Sequence, residues 1–127
     1  MEEDKPHVLI VEDNEINQKV IRIILERYGC TYELAIDGEE ALRMFEPHRF
    51  DLILMDCQMP KMNGLQATAA IRSKKAGEQL PILAMTANAM KGDRERCLEA
   101  GMNDFLPKPF KSSEVIEKIR YWMGERK

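Results

Sequence analysis

Four places in this chain carry side chains whose chemistries complement one another. Glu12 and Asp13 follow the apolar run His7-Val8-Leu9-Ile10-Val11. Asp56 ends Leu52-Ile53-Leu54-Met55. Thr86 ends Ile82-Leu83-Ala84-Met85, and Lys108 lies just past Asp104-Phe105-Leu106. Three carboxylates brought to one place repel one another and demand a cation. An all-oxygen set without His or Cys favours a hard divalent ion, Mg²⁺ first, with Mn²⁺ as the alternative. Lys108 is a flexible point charge suited to one anionic oxygen, and Thr86 supplies a hydroxyl donor. A carboxylate such as Asp56 can attack phosphorus to give an acyl phosphate. Phosphoryl transfer needs little beyond positioning and charge neutralisation, which metal and lysine would supply.

Taken singly, each residue has a blander role. Acids after a strand often cap the next helix, and Asp13 or Asn14 is placed to do so. A lone Lys108 would be surface, and a lone Thr86 would reflect β-propensity. Asp56 is harder to dismiss, because Cys57-Gln58-Met59-Pro60 opens a loop and offers no adjacent helix. The joint pattern outweighs the separate readings.

These residues are far apart in sequence, so the fold must gather them. Short apolar runs alternate with segments of helical period. The runs at 7–11, 52–56 and 82–86 read as strands buried on both faces, with shorter strands at 31–36 and 104–106. From Asn14 the apolar positions Ile16, Val20, Ile23 and Ile24 recur at helical spacing, and Gly29 is a stop. Asp37 caps a second helix. A third runs from about Gly64 to Lys75, with Leu65, Ala69 and Ile71 as core candidates. Lys91 to Ala100 forms a polar fourth helix, stopped by Gly101. Ser112 caps the last, which carries Val115, Ile116, Ile119 and Trp122 on one face. Strict βα alternation demands a parallel sheet covered on both faces, with right-handed crossovers. In such a sheet, ligands bind beyond the carboxyl ends of the strands, where all four places fall.

The chain has 127 residues, 44% hydrophobic and 32% charged, with a formal net charge of −3. This suits one globular domain over residues 1–127 and excludes a disordered chain. An acidic balance argues against direct nucleic-acid binding, and no apolar run approaches a membrane span. Cys30, Cys57 and Cys97 cannot all pair and form no CxxC, so a reducing cytoplasm is the expected compartment. Cys57 points to the strand face opposite Asp56 and reads as a small buried filler. His7 and His48 read as structural or surface residues, because neither lies mid-helix on an exposed face.

The wording Val-Glu-Asp-Asn at 11–14, Met-Asp-Cys-Gln-Met-Pro-Lys-Met-Asn-Gly at 55–64, Met-Thr-Ala at 85–87 and Pro-Lys-Pro-Phe at 107–110 resembles the receiver domain of two-component response regulators. The likeness covers about Lys5 to Met123 and leans toward receivers of hybrid histidine kinases and phosphorelays. It implies a flavodoxin-like (βα)5 fold with strand order 2-1-3-4-5. Asp56 matches the aspartate phosphorylated by a histidine kinase or a phosphotransfer histidine. Asp13 and Asp56, with the backbone carbonyl of Gln58, match ligands of Mg²⁺, and Glu12 matches an acid that reaches the metal through water. Lys108 matches the lysine that pairs with a phosphoryl oxygen, and the N–H of Ala87 matches a donor to it. Thr86 and Phe105 match the switch pair. Pro109 matches a proline whose preceding peptide is often cis, which would aim Lys108. The resemblance further implies a partner or dimer surface formed by the fourth helix, fifth strand and fifth helix.

Some positions depart from the family pattern. The switch aromatic is commonly tyrosine; Phe105 lacks its hydroxyl, so switching must rest on packing. Asn63 replaces a commoner aspartate. Gln58 and Asn88, two residues after Asp56 and Thr86, put neutral amides where dephosphorylation is tuned. Other readings lose ground on particular residues. A phosphohydrolase resembling the Asp-x-Asp enzymes lacks its general acid, since Cys57-Gln58 follows Asp56. A flavodoxin-type flavin module needs a Gly/Ser/Thr-rich phosphate loop after the first strand, where Glu12-Asp13-Asn14-Glu15 stands instead. A phosphorylation-dead binding module would not need the full acid, hydroxyl and lysine set. Beginning at Met1 without an output domain suits a stand-alone regulator or a receiver excised from a hybrid kinase.

Overall fold

The computed structural model of the chain describes residues 6–46, 49–57, 64–74, 79–86 and 91–125. Among these, five strands alternate with five α-helices: β1 His7–Val11, α1 Glu15–Tyr28, β2 Thr31–Ala35, α2 Gly38–Met44, β3 Leu52–Asp56, α3 Gly64–Arg72, β4 Ile82–Thr86, α4 Lys91–Glu99, β5 Asp104–Pro107 and α5 Ser112–Arg120. A π-helical turn over Tyr121–Glu125 continues α5. The strands form one parallel sheet in the order β2-β1-β3-β4-β5, the order that the resemblance implies. No helix of the described residues is long and apolar enough to cross a membrane.

β3 and β4 are buried at every position, because helices cover both faces of the sheet. The pleat sorts their side chains into two cores. Leu9, Val11, Ile53, Met55, Ile82 and Ala84 pack with Ala41 of α2, Ala67 and Ile71 of α3 and Cys97 of α4. Val8, Ile10, Leu54, Leu83 and Met85 pack with Ile21, Ile24 and Leu25 of α1 and Val115 and Ile119 of α5. Register sets the strand ends level: Val11 pairs with Met55, Asp56 with Met85, and Thr86 with Pro107. The polar residues that follow therefore emerge along one edge.

Three helix details differ from the sequence expectation. α1 carries two apolar stripes, and the buried one runs through Gln18, Ile21, Ile24 and Leu25, while Ile16, Val20 and Ile23 are exposed. Gln18 earns its inward place by donating from Nε2 to the Glu12 carbonyl at 2.7 Å. In α3 the buried positions are Gly64, Ala67, Thr68 and Ile71, and Ala69 faces out. Ser112 does not cap α5; Lys111 stands at the cap position and makes no side-chain cap hydrogen bond. The expected end signals hold elsewhere. Asp37 accepts from the Glu40 N–H at 2.8 Å, and Gly29 closes α1 at φ 97°, a conformation that costs glycine little.

Candidate functional site

The site is a cleft of about 210 Å³ at the carboxyl edge of the sheet, lined by Glu12, Asp13, Asn14, Asn17, Asp56, Met85, Thr86 and Lys108. It falls short of the roughly 300–1,000 Å³ of pockets that hold cofactor-sized ligands, which disfavours the flavin reading. An ion and a phosphoryl group are matched to it in size.

Glu12 is fully buried, Asp56 is 4% exposed and Thr86 8% exposed, while Asp13 faces solvent. The carboxylates of Glu12, Asp13 and Asp56 each offer an oxygen, all within 4.8 Å of one another. The Lys108 ammonium lies 3.3 Å from Glu12 Oε1 and 3.4 Å from Asp56 Oδ1. Its backbone is tied in place as well, since the Lys108 N–H donates to the Thr86 carbonyl at 2.8 Å. The Lys108–Pro109 peptide is cis.

Local structure decides which acids remain available. Asn14 caps α1, its Oδ1 accepting from the Asn17 N–H at 3.0 Å. Asp13 is therefore not the cap and stays at the cleft. Glu12 Oε2 accepts from the Asn14 N–H at 3.2 Å, but the buried Oε1 accepts no hydrogen bond, and the ammonium at 3.3 Å gives it an ion pair only. A buried carboxylate oxygen left this way is costly. Among the described residues, three carboxylates stand beside one ammonium. This orphaned oxygen and the all-oxygen donor set fit a hard divalent cation.

Gly64 is expected from the sequence only as the start of the third helix. It opens α3, and a Cβ there would collide with the Asp56 carbonyl oxygen. Only glycine lets the helix start this close to the strand end. The signal was a glycine at a helix start, but the clash partner is eight residues back and visible only in three dimensions. Gln58, Ala87, Asn63, Asn88 and His48 lie outside the described residues. Phe105 is not at the cleft. The centroid of its half-buried ring lies 4.6 Å from the Arg94 guanidinium and 5.6 Å from the Lys118 ammonium. Lys118 is held by Asp104 at 2.7 Å, which also accepts from Trp122 Nε1 at 3.0 Å. His7 is structural: its ring stacks on Phe50 and contacts Thr31 and Glu33.

A model described as the response regulator receiver domain matches residues 8–120. The chain belongs to the response regulator receiver family. It is 44% identical over 119 residues to hybrid signal transduction histidine kinase I of Dictyostelium discoideum, covering 88% of this chain but 7% of that protein. It is 40% identical to the polar-differentiation response regulator DivK of Brucella anthropi, covering 93% of this chain and 96% of that one. Among solved structures it matches the receiver domain of a Pseudomonas aeruginosa sensor histidine kinase, which holds a magnesium ion in its active-site cleft. That match has a TM-score of 0.88 and 47% identity, covering 95% of this chain and 99% of that one. It also matches the receiver domain of the Saccharomyces cerevisiae response regulator Ssk1, solved with the histidine phosphotransfer protein Ypd1. There the TM-score is 0.88 and the identity 32%, covering 96% of this chain and 91% of that one.

Proposed function

We propose that Asp56 accepts a phosphoryl group from a histidine of a kinase or phosphotransfer protein, and that the modified chain binds its partners differently. The Asp56 carboxylate attacks phosphorus, the P–N bond of the phosphohistidine breaks, and its electron pair leaves on the imidazole, which takes a proton from solvent. The product is an acyl phosphate on Asp56. Water attacking the same phosphorus later breaks the acyl-phosphate bond, releases inorganic phosphate and returns the free carboxylate, so the site acts on the chain's own Asp56. The observation that carries this reading is the charge set at the cleft: among the described residues, three clustered carboxylates, one of them with a buried oxygen that accepts no hydrogen bond, lie beside one lysine.

Asp13 and Asp56, with the Gln58 carbonyl, would hold Mg²⁺ directly, and Glu12 would hold it through water. The ion supplies charge neutralisation for the transferring oxygens. Lys108, already facing Asp56, pairs with one phosphoryl oxygen, and the Thr86 hydroxyl and the Ala87 N–H donate to others. Thr86 moving toward the phosphate shifts the population of the Phe105 region. Here Arg94 and Lys118 meet the ring where tyrosine would offer a hydroxyl. The surface of α4, β5 and α5, with Leu98 and Tyr121 exposed, is the downstream face. The compartment in this reading is the cytoplasm, where free thiols persist.

The outward stripe of α1 supports a docking role for the phosphoryl donor. Ile16 is 73% exposed and is followed by exposed Val20 and Ile23. The stripe continues from Asn14 and Asn17, which line the cleft. A donor seated there would present its histidine over Asp56. Ile16→Asp should sharply slow transfer from a phosphorylated histidine phosphotransfer protein and leave labelling by acetyl phosphate unchanged. Equal slowing of both would remove the docking role.

The reading is tested by incubating the chain with acetyl phosphate, with and without Mg²⁺, and taking intact masses. One added phosphoryl group, dependent on Mg²⁺ and absent in Asp56→Asn, is expected. An adduct that persists in Asp56→Asn would reject the assignment.

A further inference from the structure

We propose that Cys57 and Cys97 are a dithiol that closes to a disulfide and pins α4 to the strand carrying Asp56. The two Sγ atoms lie 3.3 Å apart, in thiol–thiol contact, although 40 residues separate them. A covalent S–S bond is about 2.05 Å long, so closure needs a movement of little more than about 1 Å. Cys57 follows Asp56 directly, and its backbone is fixed by the Cys57 N–H donating to the Met85 carbonyl at 3.2 Å. Cys97 is the one buried residue among the described side chains of α4, positions 94–99, and Leu98 beside it is exposed. Among the described side chains of α4, this sulfur is the one packed into the core. A bond at that point would join α4 to the end of β3.

The chemistry needs a two-electron oxidant of the peroxide class. Cys57, half-buried and the more accessible of the two, attacks one oxygen of hydrogen peroxide as its thiolate, its proton passing to the leaving hydroxide. The O–O bond breaks, one water leaves and a sulfenic acid remains on Cys57. The Cys97 sulfur then attacks the Cys57 sulfur, the S–O bond breaks, and the second water leaves with the thiol proton. Two thiols and one peroxide become one disulfide and two waters. Burial, followed by the Cys97 contact, pushes the Cys57 thiol well above its ordinary range. Cys30 is an internal control. It packs in the core on the other face of the sheet, and burial first and Asp51 second push its thiol up to about 11.

The pair does not rest on the phosphoacceptor reading, and its test needs no phosphorylation. The full chain is reduced, treated with hydrogen peroxide, alkylated and mapped by mass spectrometry. Loss of two hydrogens per chain, a single alkylated thiol at Cys30 and a peptide linked through Cys57 and Cys97 are expected. All of these should revert with dithiothreitol. Cys30→Ser should close normally, and Cys57→Ser and Cys97→Ser should not. Three alkylated thiols after oxidation, links through Cys30 or between chains, or Cys57 passing alone to a sulfinic acid would each overturn the pair. The wild-type peptide map and Cys30→Ser decide the matter even if a serine variant at 57 or 97 folds poorly. Amide hydrogen exchange across 91–99 should slow in the disulfide form; unchanged exchange would overturn the pinning.

Discussion

Two charged clusters occupy opposite ends of the same sheet, and they are built on opposite principles. Near the amino ends, Glu33 is shared by two partners. Arg49 Nη2 donates to its Oε1 at 2.5 Å, and His7 Nε2 lies 2.7 Å from its Oε2. Arg49 also stacks over Phe50, and Asp51 accepts from the His7 N–H at 2.8 Å. The Arg49 and His7 hydrogen bonds hold the Glu33 carboxyl below its ordinary range. At the carboxyl ends, three carboxylates crowd one lysine, and a buried oxygen of Glu12 accepts no hydrogen bond. The first cluster is complete and holds β1, β2 and the entry to β3 together. The second, among the described residues, sets three carboxylates against one ammonium. Unbalanced charge kept in a packed fold marks function, since a purely structural cluster would gain stability by pairing.

The largest effect that would sharpen this contrast comes from Gly64. Gly64→Ala should destabilise the chain by roughly 2–3 kcal/mol, because the new methyl meets the Asp56 carbonyl. It should also impair phosphorylation, as the strand end must shift. Urea unfolding with parallel acetyl phosphate labelling checks both; an unchanged midpoint would show that the loop gives way freely.

Divalent metal comes next. Mg²⁺ at a hundredfold over its dissociation constant should stabilise the chain by about 2.7 kcal/mol, read as a rise in melting temperature that EDTA reverses. Asp13→Ala should lose this response and Glu33→Gln should keep it. The reverse pattern would break the comparison outright.

The smallest effect is at the completed cluster. Glu33→Gln should cost about 1 kcal/mol near neutral pH, the scale of a partly exposed ion pair with hydrogen bonds. Because the folded-state carboxyl is depressed, its stabilisation is full above its ordinary value of 4.5. It disappears as pH falls through the depressed value. The variant should therefore match the parent at the acid end and differ from it near neutrality. A constant gap across pH would mean that the contribution is packing.

The fold was readable because β1, β3 and β4 are built on four-residue apolar runs, 8–11, 52–55 and 82–85, as strands covered on both faces are. Glu12, Asp13, Asp56, Thr86 and Lys108 were readable because each sits at or just past the end of a strand run. The inward face of α1 was not. Its two apolar stripes compete, and the buried one recruits Gln18 through a hydrogen bond to a strand carbonyl that period alone cannot foresee. Gly64 and the Cys57–Cys97 contact escaped for a related reason. Both depend on where two distant backbones meet.

The central claim is that the unbalanced carboxyl edge exists to place a phosphoryl group on one particular carboxylate. The most direct measurement labels the chain with acetyl phosphate and Mg²⁺, reduces it with sodium borohydride, and maps the product by tandem mass spectrometry. Borohydride converts an acyl-phosphate aspartate to homoserine. Homoserine at position 56 alone, lost when EDTA replaces Mg²⁺, is the predicted result. Homoserine at position 13, or at no position while the intact mass still rises, would contradict it.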